Sequence, residues 1–449
     1  MSVIFTLTQW INRLWHGADL ARVGQRRERR VQIVVSALMV LVGMYWASSF
    51  FGHEYWQMLA FDGAMIACGL AVLGQRVLWV NVLLFGSLIA LVALASLFMD
   101  ANTPAAMRST HLFLLPIAVG ALLAFRDQIW LLRYGVCALC LSLFIALTVS
   151  NWQPSYQYLL SDELRLPSAW LQALLAMGLL FVLLHTLQKD SAEHMELDRD
   201  LHEALREGQF ILHYQPQVDE AGRVVGAEAL IRWQHPKRGL LPPSEFIDYA
   251  EETGLIIPIG QWVLEQIAEQ LRLWRDEPLY QHLDLAVNIS QKQFAQRHFV
   301  AQILSLIERH EIDAKHLELE LTETLIVRDL DDLTRKMVEL VGQGVSFSLD
   351  DFGTGFSSLS HLKRLPLSKL KIDRSFISDV LTDSHSEAIV RSVINLGQNL
   401  GLQVIAEGVE VDDQRQFLRD NGCRRYQGYL LGRPMPLEHF CEFVQCHNA

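Results

Sequence analysis

The pattern of apolar positions changes character once along the chain. Up to position 187 they form long, nearly unbroken runs at 31–51, 57–74, 77–99, 108–125, 129–149 and 168–187. Each run is close to the roughly 20 residues that span a bilayer as a helix. The pattern predicts an all-α bundle of about six transmembrane helices. The second and fourth runs are the weakest, because Asp62 and Arg108 intrude. Asp62 and Arg133 are ionisable groups in or near apolar spans, where a functional role is the default reading. Both also lie within a turn or two of a span end, so snorkelling to water competes with that reading. Residues 188–207 turn polar, with Leu197, Leu201 and Leu205 at four-residue spacing between charges. They read as a helix that continues the last span as far as Gly208, a helix-stop residue.

From Phe210 the period shortens. Strand-like stretches fall at 210–214, 225–233, 285–289, 316–321, 345–349, 370–372, 404–406 and 426–430. Helical stretches such as 243–252, 259–275, 328–343 and 384–400 separate most of them. About eight strands alternating with helices predict an α/β fold, a closed β/α barrel. An open doubly wound sheet is the alternative, but no Gly-x-Gly-x-x-Gly follows the first strand. The expected organisation is a basic N-terminus at 1–30, a membrane region at 31–187, a linker helix at 188–207 and the barrel at 208–449.

Charge divides the chain at the same place. Residues 1–189 hold 12 Lys+Arg and 8 Asp+Glu, or +4; the whole chain is −12, so residues 190–449 carry −16. So acidic a half argues against tracking a nucleic-acid backbone. Mean hydropathy is +0.19 with 51% hydrophobic residues, high for a wholly soluble protein. Six spans put both ends on one side. Arg22, Arg26, Arg27, Arg29, Arg30, Arg76, Arg126 and Lys189 fall on that side, against Arg108 and Arg165 opposite. The positive-inside rule makes it cytoplasmic. Of the six cysteines, Cys137 and Cys140 have redox-pair spacing but lie in an apolar run, where packing is the simpler reading.

The chemistry lies at the strand ends. Val345, Phe347 and Leu349 alternate with Ser346, Ser348 and Asp350, and Asp351 follows before a glycine-rich turn. Two adjacent carboxylates repel unless a cation holds them, and oxygen clusters suit Mg²⁺ or Mn²⁺. Taken alone, the pair could equally be a turn that caps a helix. The other strands tip the balance. Glu228, Asn288, Glu320, Lys371, Glu407 and Gln427 occupy matching places in turn. A buried parallel strand is normally apolar throughout, and a carboxylate there is costly unless paired or metal-bound. Barrel active sites lie at the C-terminal strand ends.

These residues resemble the EAL-domain cyclic-di-GMP phosphodiesterases. The motif of that name is Glu228-Ala229-Leu230. Matching groups run in family order: Tyr214-Gln215-Pro216-Gln217, Asn288, Glu320 and Glu323, Asp350-Asp351-Phe352-Gly353, Lys371-Ile372-Asp373-Arg374, Glu407 and Glu410, and Gln427-Gly428-Tyr429. Phe356, where tyrosine is usual, and Gly432 are mild departures. The resemblance covers about 205–436 and no Gly-Gly-Asp-Glu-Phe cyclase motif is present. It implies a TIM-like (β/α)8 barrel with an antiparallel first strand, and hydrolysis of cyclic di-GMP to linear pGpG with two Mg²⁺ or Mn²⁺ ions. Glu228, Asn288, Glu320 and Asp350 would hold one ion; Asp350, Asp351 and Glu407 the other. Lys371 would orient the attacking water and Gln427 would position a water. Arg232 would contact phosphate, and Gln215, Asp373 and Glu410 would border the substrate. Glu323 would brace the loop after Asp351. The resemblance further implies a homodimer; the apolar runs and the charge distribution predict a multi-pass protein of the bacterial inner membrane with no nucleic-acid polymer as partner. The N-terminus and the catalytic half would be cytoplasmic, under control of the membrane region. A catalytically silent cyclic-di-GMP receptor or membrane scaffold is the alternative, although such proteins usually lack one of the acids found here.

The topology is open to direct test. Single cysteines placed at position 25 and within 151–167 should react with impermeant reagents from opposite sides. Labelling of both from outside would overturn a cytoplasmic N-terminus.

Overall fold

The computed structural model describes residues 78–98, 100, 107–125, 128–150, 162–323, 330–353 and 362–448, with Ser36, Val40, Met44, Gly63, Ile66 and Ala67. The chain divides into two compact units, Met1–Asp198 and Arg199–Ala449.

In the first unit the described helices are Leu78–Phe98, Leu114–Ala124, Trp130–Val149 and the start of Asp162–Glu207. Leu84, Phe85, Ala121, Phe125, Cys140 and Leu183 share one apolar core. Among the described residues, three stretches are long and apolar enough to cross a membrane: Asn81–Phe98, Trp130–Val149 and Leu166–Gln188. Three of the six expected spans are thus candidates among the described residues. The runs at 31–51 and 57–74, with Asp62, lie almost wholly outside the described residues. The run at 108–125 is too short: a 3-10 turn, Thr110–Phe113, precedes an α-helix of 11 residues. At 1.5 Å per residue that helix covers about 17 Å, against roughly 30 Å of hydrocarbon. Arg108 explains the late start. It is buried, and its guanidinium donates to the Asp100 carbonyl at 2.9 Å and the Leu147 carbonyl at 2.8 Å. Cys137 and Cys140 are free thiols on the helix Trp130–Val149. The helix Asp162–Glu207 runs for 46 residues, past the end of its apolar stretch, and stops at Gly208 with φ +65°.

The second unit is a closed barrel. Its strands are β1 (Phe210–Asp219), β2 (Val224–His235), β3 (Gly239–Leu241), β4 (Asp284–Asn288), β5 (Leu317–Thr322), β6 (Ser346–Phe352), β7 (Lys369–Ile372), β8 (Gln403–Ala406) and β9 (Arg425–Tyr426). Strands β2, β4, β5, β6, β7, β8 and β9 pair in parallel in that order. β1 closes the ring, antiparallel to both β2 and β9. The three-residue β3, unforeseen in the sequence, adds to β2 outside the ring. The expected strand at 426–430 ends at Tyr426, and the cause is a close approach. A Cβ on Gly428 would lie 2.2 Å from the Val409 backbone, so the chain turns there against Val409. The expected helix at 243–252 breaks into a 3-10 turn, Pro243–Glu245, and a helix, Ile247–Thr253.

Alternation along each strand sorts side chains between two environments. Leu319, Phe347, Leu349, Leu370 and Ile372 are fully buried in the apolar shell between sheet and helices. Burial of one such side chain stabilises by roughly 1.5–3 kcal/mol. Their neighbours Glu318, Glu320, Ser346, Ser348, Lys369 and Lys371 alternate with them on β5, β6 and β7. The lysines of β7 reach across β6 to the acids of β5: Lys369 meets Glu318, and Lys371 lies 2.7 Å from Glu320. Only small side chains on β6 leave room for this, and Ser346 and Ser348 are small.

Lys369 belongs to a lower tier. It also lies 3.0 Å from Asp284, which has Arg425 at 3.9 Å and the His316 ring at 3.2 Å. Burial pushes the Asp284 carboxyl up, but its His316 hydrogen bond and the Lys369 charge hold it below the usual range. Lys369→Met leaves Glu318 and Asp284 short of a cation. It should destabilise the barrel by about 3–5 kcal/mol, as removal of one partner of a buried pair does. Adding Glu318→Gln should recover part of the loss. Denaturant melts of the two variants check this; an unaltered melt for Lys369→Met would contradict it.

Candidate active site

The upper tier is built at the C-terminal mouth. Asn288 ends β4, Glu320 and Asp350 lie late in β5 and β6, Lys371 lies in β7, and Glu407 and Gln427 directly follow β8 and β9. Glu228 differs from the sequence expectation. It sits in the body of the twelve-residue β2, paired with Gln215 of β1 and Ala286 of β4. β2 continues beyond the mouth because its hairpin with β1 keeps one edge paired as far as Trp233, where β3 takes up the other.

Lys371 is the hub. Its side chain is fully buried, and Nζ lies 2.5 Å from Glu407, 2.7 Å from Glu320, 3.4 Å from Asp350 and 3.5 Å from Glu228. Amides complete the surroundings of Glu228. Asn288 Nδ2 donates to its Oε1 at 2.6 Å, and Gln427 Nε2 donates to its Oε2 at 2.6 Å. Gln427 Nε2 also donates to Gln215 Oε1 at 3.1 Å, while Gln215 Nε2 donates to the Gly432 carbonyl at 3.2 Å.

The two tiers differ in charge. Below, two acids (Asp284, Glu318) face two cations (Lys369, Arg425). Above, four acids face one ammonium. The carboxyl groups record the imbalance. Burial, with the nearby Glu228 charge, pushes Glu320 well above the usual carboxylate range. Burial raises Glu407 to about 8, against the pull of Lys371. Glu228 is also penalised by burial, yet Lys371 and the Gln427 and Asn288 donors hold it below its usual value. Lys371 itself is raised well above the ordinary amine value, because the four carboxylates outweigh its own burial. Glu320 Oε1 is buried with no hydrogen-bond partner.

Excess negative charge, an orphaned carboxylate oxygen and oxygen-only donors fit hard divalent cations. Among the described residues no ready-made group of three acids or histidines is spaced to hold a metal ion. The acids close on Lys371 instead.

The remaining expected residues fall into three groups. The backbone of Asp351 belongs to β6, but its side chain lies outside the described residues. The same is true of 354–361, the loop that Glu323 was expected to brace; Glu323 itself is buried just after β5. Asp373 caps a short helix, Arg374–Asp379, its Oδ1 accepting from the Ser375 N–H at 2.9 Å. Glu410 is exposed on the loop after Glu407. Arg232 is half-buried in β2, donating to the Ile231 carbonyl at 2.8 Å. The sequence reading gave no role to Gln217, Lys369 or Glu318. Each lies two positions before or after an assigned residue on the same strand, so period-2 alternation would have found them.

A closed eight-stranded β/α barrel, with an antiparallel first strand and a mouth of acids, amides and one lysine, defines the class. Within that class the chain belongs to the EAL domain family, whose model matches residues 198–434, more than half of the chain. The bifunctional diguanylate cyclase/cyclic di-GMP phosphodiesterase MucR of Pseudomonas aeruginosa is 46% identical over 262 residues, 58% of this chain and 38% of that protein. The cyclic di-GMP phosphodiesterase PdeR of Escherichia coli is 41% identical over 249 residues, 55% of this chain and 37% of that protein. The chain thus spans under two-fifths of the length of these curated relatives. A solved structure of the PaMucR phosphodiesterase in complex with c-di-GMP has 46% identity and a TM-score of 0.53. It covers 55% of this chain and 99% of that one.

The charge imbalance predicts metal-linked stability. Mn²⁺ at a hundredfold excess over its dissociation constant should stabilise the folded chain by about 2.7 kcal/mol. The shift in melting temperature should vanish in Glu320→Gln. An equal Mn²⁺ shift in that variant would remove Glu320 from the cation site.

Proposed function

We propose that the chain is a membrane-associated phosphodiesterase that hydrolyses one phosphodiester of cyclic di-GMP to linear pGpG. The observation that carries this reading is the gathering of Glu228, Glu320, Asp350 and Glu407 around one lysine at the barrel mouth, with negative charge to spare. Relatives bearing phosphodiesterase names support it.

Two Mg²⁺ or Mn²⁺ ions, held by Glu228, Asn288, Glu320, Asp350, Asp351 and Glu407, would supply Lewis acidity toward a water and the phosphodiester oxygens. The chain's own residues do the rest. Lys371 carries a firmly held proton at Nζ, and donates it in a hydrogen bond that orients the attacking water. Water adds in line to phosphorus, the bond to the 3′ oxygen breaks, and that oxygen takes up a proton. Arg232 pairs with phosphate as a planar fork. Gln215, Asp373 and Glu410 border the substrate, and Glu323 supports the loop after Asp351. Gln427 holds Glu228 in place by hydrogen bonding.

The arginine asymmetry and the three apolar helices support a multi-pass bacterial inner-membrane protein with its barrel in the cytoplasm. Pairing of two barrels as a homodimer fits the same reading. Residues 188–207 of the helix Asp162–Glu207 contain no proline or glycine, which supports this stretch as a route for regulation.

The full chain, purified in nanodiscs, is assayed for cyclic-di-GMP hydrolysis. EDTA should abolish turnover, and Mg²⁺ or Mn²⁺ should restore it. Glu228→Ala, Asp351→Asn and Lys371→Ala should each lower the rate about a hundredfold or more. Combining them should cost little beyond one alone, because the residues act as a unit. Tight binding of cyclic di-GMP without turnover would favour the silent receptor and sink the enzyme reading.

A further inference from the structure

The amide chain beside Glu228 contains a residue with no role so far. Gln217 of β1 is 1% exposed. Its Nε2 donates to Gln427 Oε1 at 3.1 Å, and its own Oε1 is buried with no hydrogen-bond partner. In the β1–β2 register it stands opposite Gly226, so no β2 side chain competes for its place.

An amide has one donating and one accepting end. Which end of Gln427 faces Glu228 decides the sign of their interaction. The N–H end makes a charge-assisted hydrogen bond. The C=O end would put two negative oxygens in contact. In the structure the N–H end faces Glu228, so the Gln427 oxygen must find a donor on its other side, and that donor is Gln217. Gln215 cannot substitute, because it accepts from the same Nε2 and directs its own N–H to Gly432. The unpartnered Oε1 of Gln217 shows which demand wins. Reversing the Gln217 amide would set oxygen against oxygen at Gln427, so its own acceptor is left unpaired instead.

We propose that Gln217 is a positioning residue that locks the Gln427 amide in the orientation donating to Glu228. It thereby fixes the Glu228 carboxylate facing the cluster. The inference rests on reading Glu228 as a cation ligand. Without a donor at position 217, the Gln427 oxygen is buried and unpaired. The amide is then free to rotate, and Glu228 loses one of its two orienting hydrogen bonds.

The test uses the full chain in nanodiscs, with Mn²⁺ binding followed by the electron paramagnetic resonance of free Mn²⁺, alongside steady-state kinetics. Gln217→Met should weaken Mn²⁺ binding roughly tenfold, the scale for residues that orient metal ligands. It should lower kcat with little change in KM. Gln217→Leu also removes the donor and adds no titratable group, and should do the same; it decides the matter if the methionine variant is unstable. In a Gln427→Leu background, Gln217→Met should add nothing, because its effect passes through Gln427. Wild-type Mn²⁺ affinity and kcat in Gln217→Met or Gln217→Leu, or losses that add in the double variant, would overturn the proposal alone. A wild-type protein that binds no Mn²⁺ would overturn the reading of the site and this inference with it.

Discussion

The barrel mouth is governed by one buried ammonium. Lys371 sits at zero exposure with four carboxylates within 3.5 Å. A lone buried charge is prohibitively costly, and a lone buried carboxylate equally so. Each therefore requires the other, and the requirement ties β2, β5, β6, β7 and β8 to one point. The small side chains of β6 follow from it, because a larger residue at Ser348 would block the lysine on its way to Glu320. So does the apolar shell, since strands that carry charge inside must hold together by their outer faces.

The two tiers show how nearly identical sequence pieces take different roles. Glu318 with Lys369 repeats Glu320 with Lys371, two residues earlier on the same strands. The lower pair is joined by Asp284 and Arg425 and comes out neutral, as a structural plug needs. The upper pair is joined by three further acids and stays negative, as a cation site needs. Burial first, and the neighbouring acids after it, raise the Glu320 and Glu407 carboxyls. Stability and function thus share one architecture and differ in charge count.

The antiparallel first strand contributes a different kind of control. Because β1 runs against its neighbours, Gln215 and Gln217 descend past Glu228 and Gly226 and lay a ladder of amides beside the acids. Amides orient a carboxylate without adding charge. They therefore direct Glu228 without offsetting the negative surplus on which cation binding depends.

Much of this was legible in the sequence. Alternation in Leu317-Glu318-Leu319-Glu320 and Ser346-Phe347-Ser348-Leu349 fixed strand type and the polar face, because side-chain direction is a local property of extended backbone. Long apolar runs marked the apolar helices, because hydropathy is likewise a local property. Tertiary structure decided what depends on contacts between distant residues. The strand at 426–430 was cut short by Val409, and the run at 108–125 by the carbonyls that Arg108 reaches. Spacing also could not tell Glu318 from Glu320, or Lys369 from Lys371. Both pairs obey the same period, and only the closed ring determines how many opposite charges each one meets.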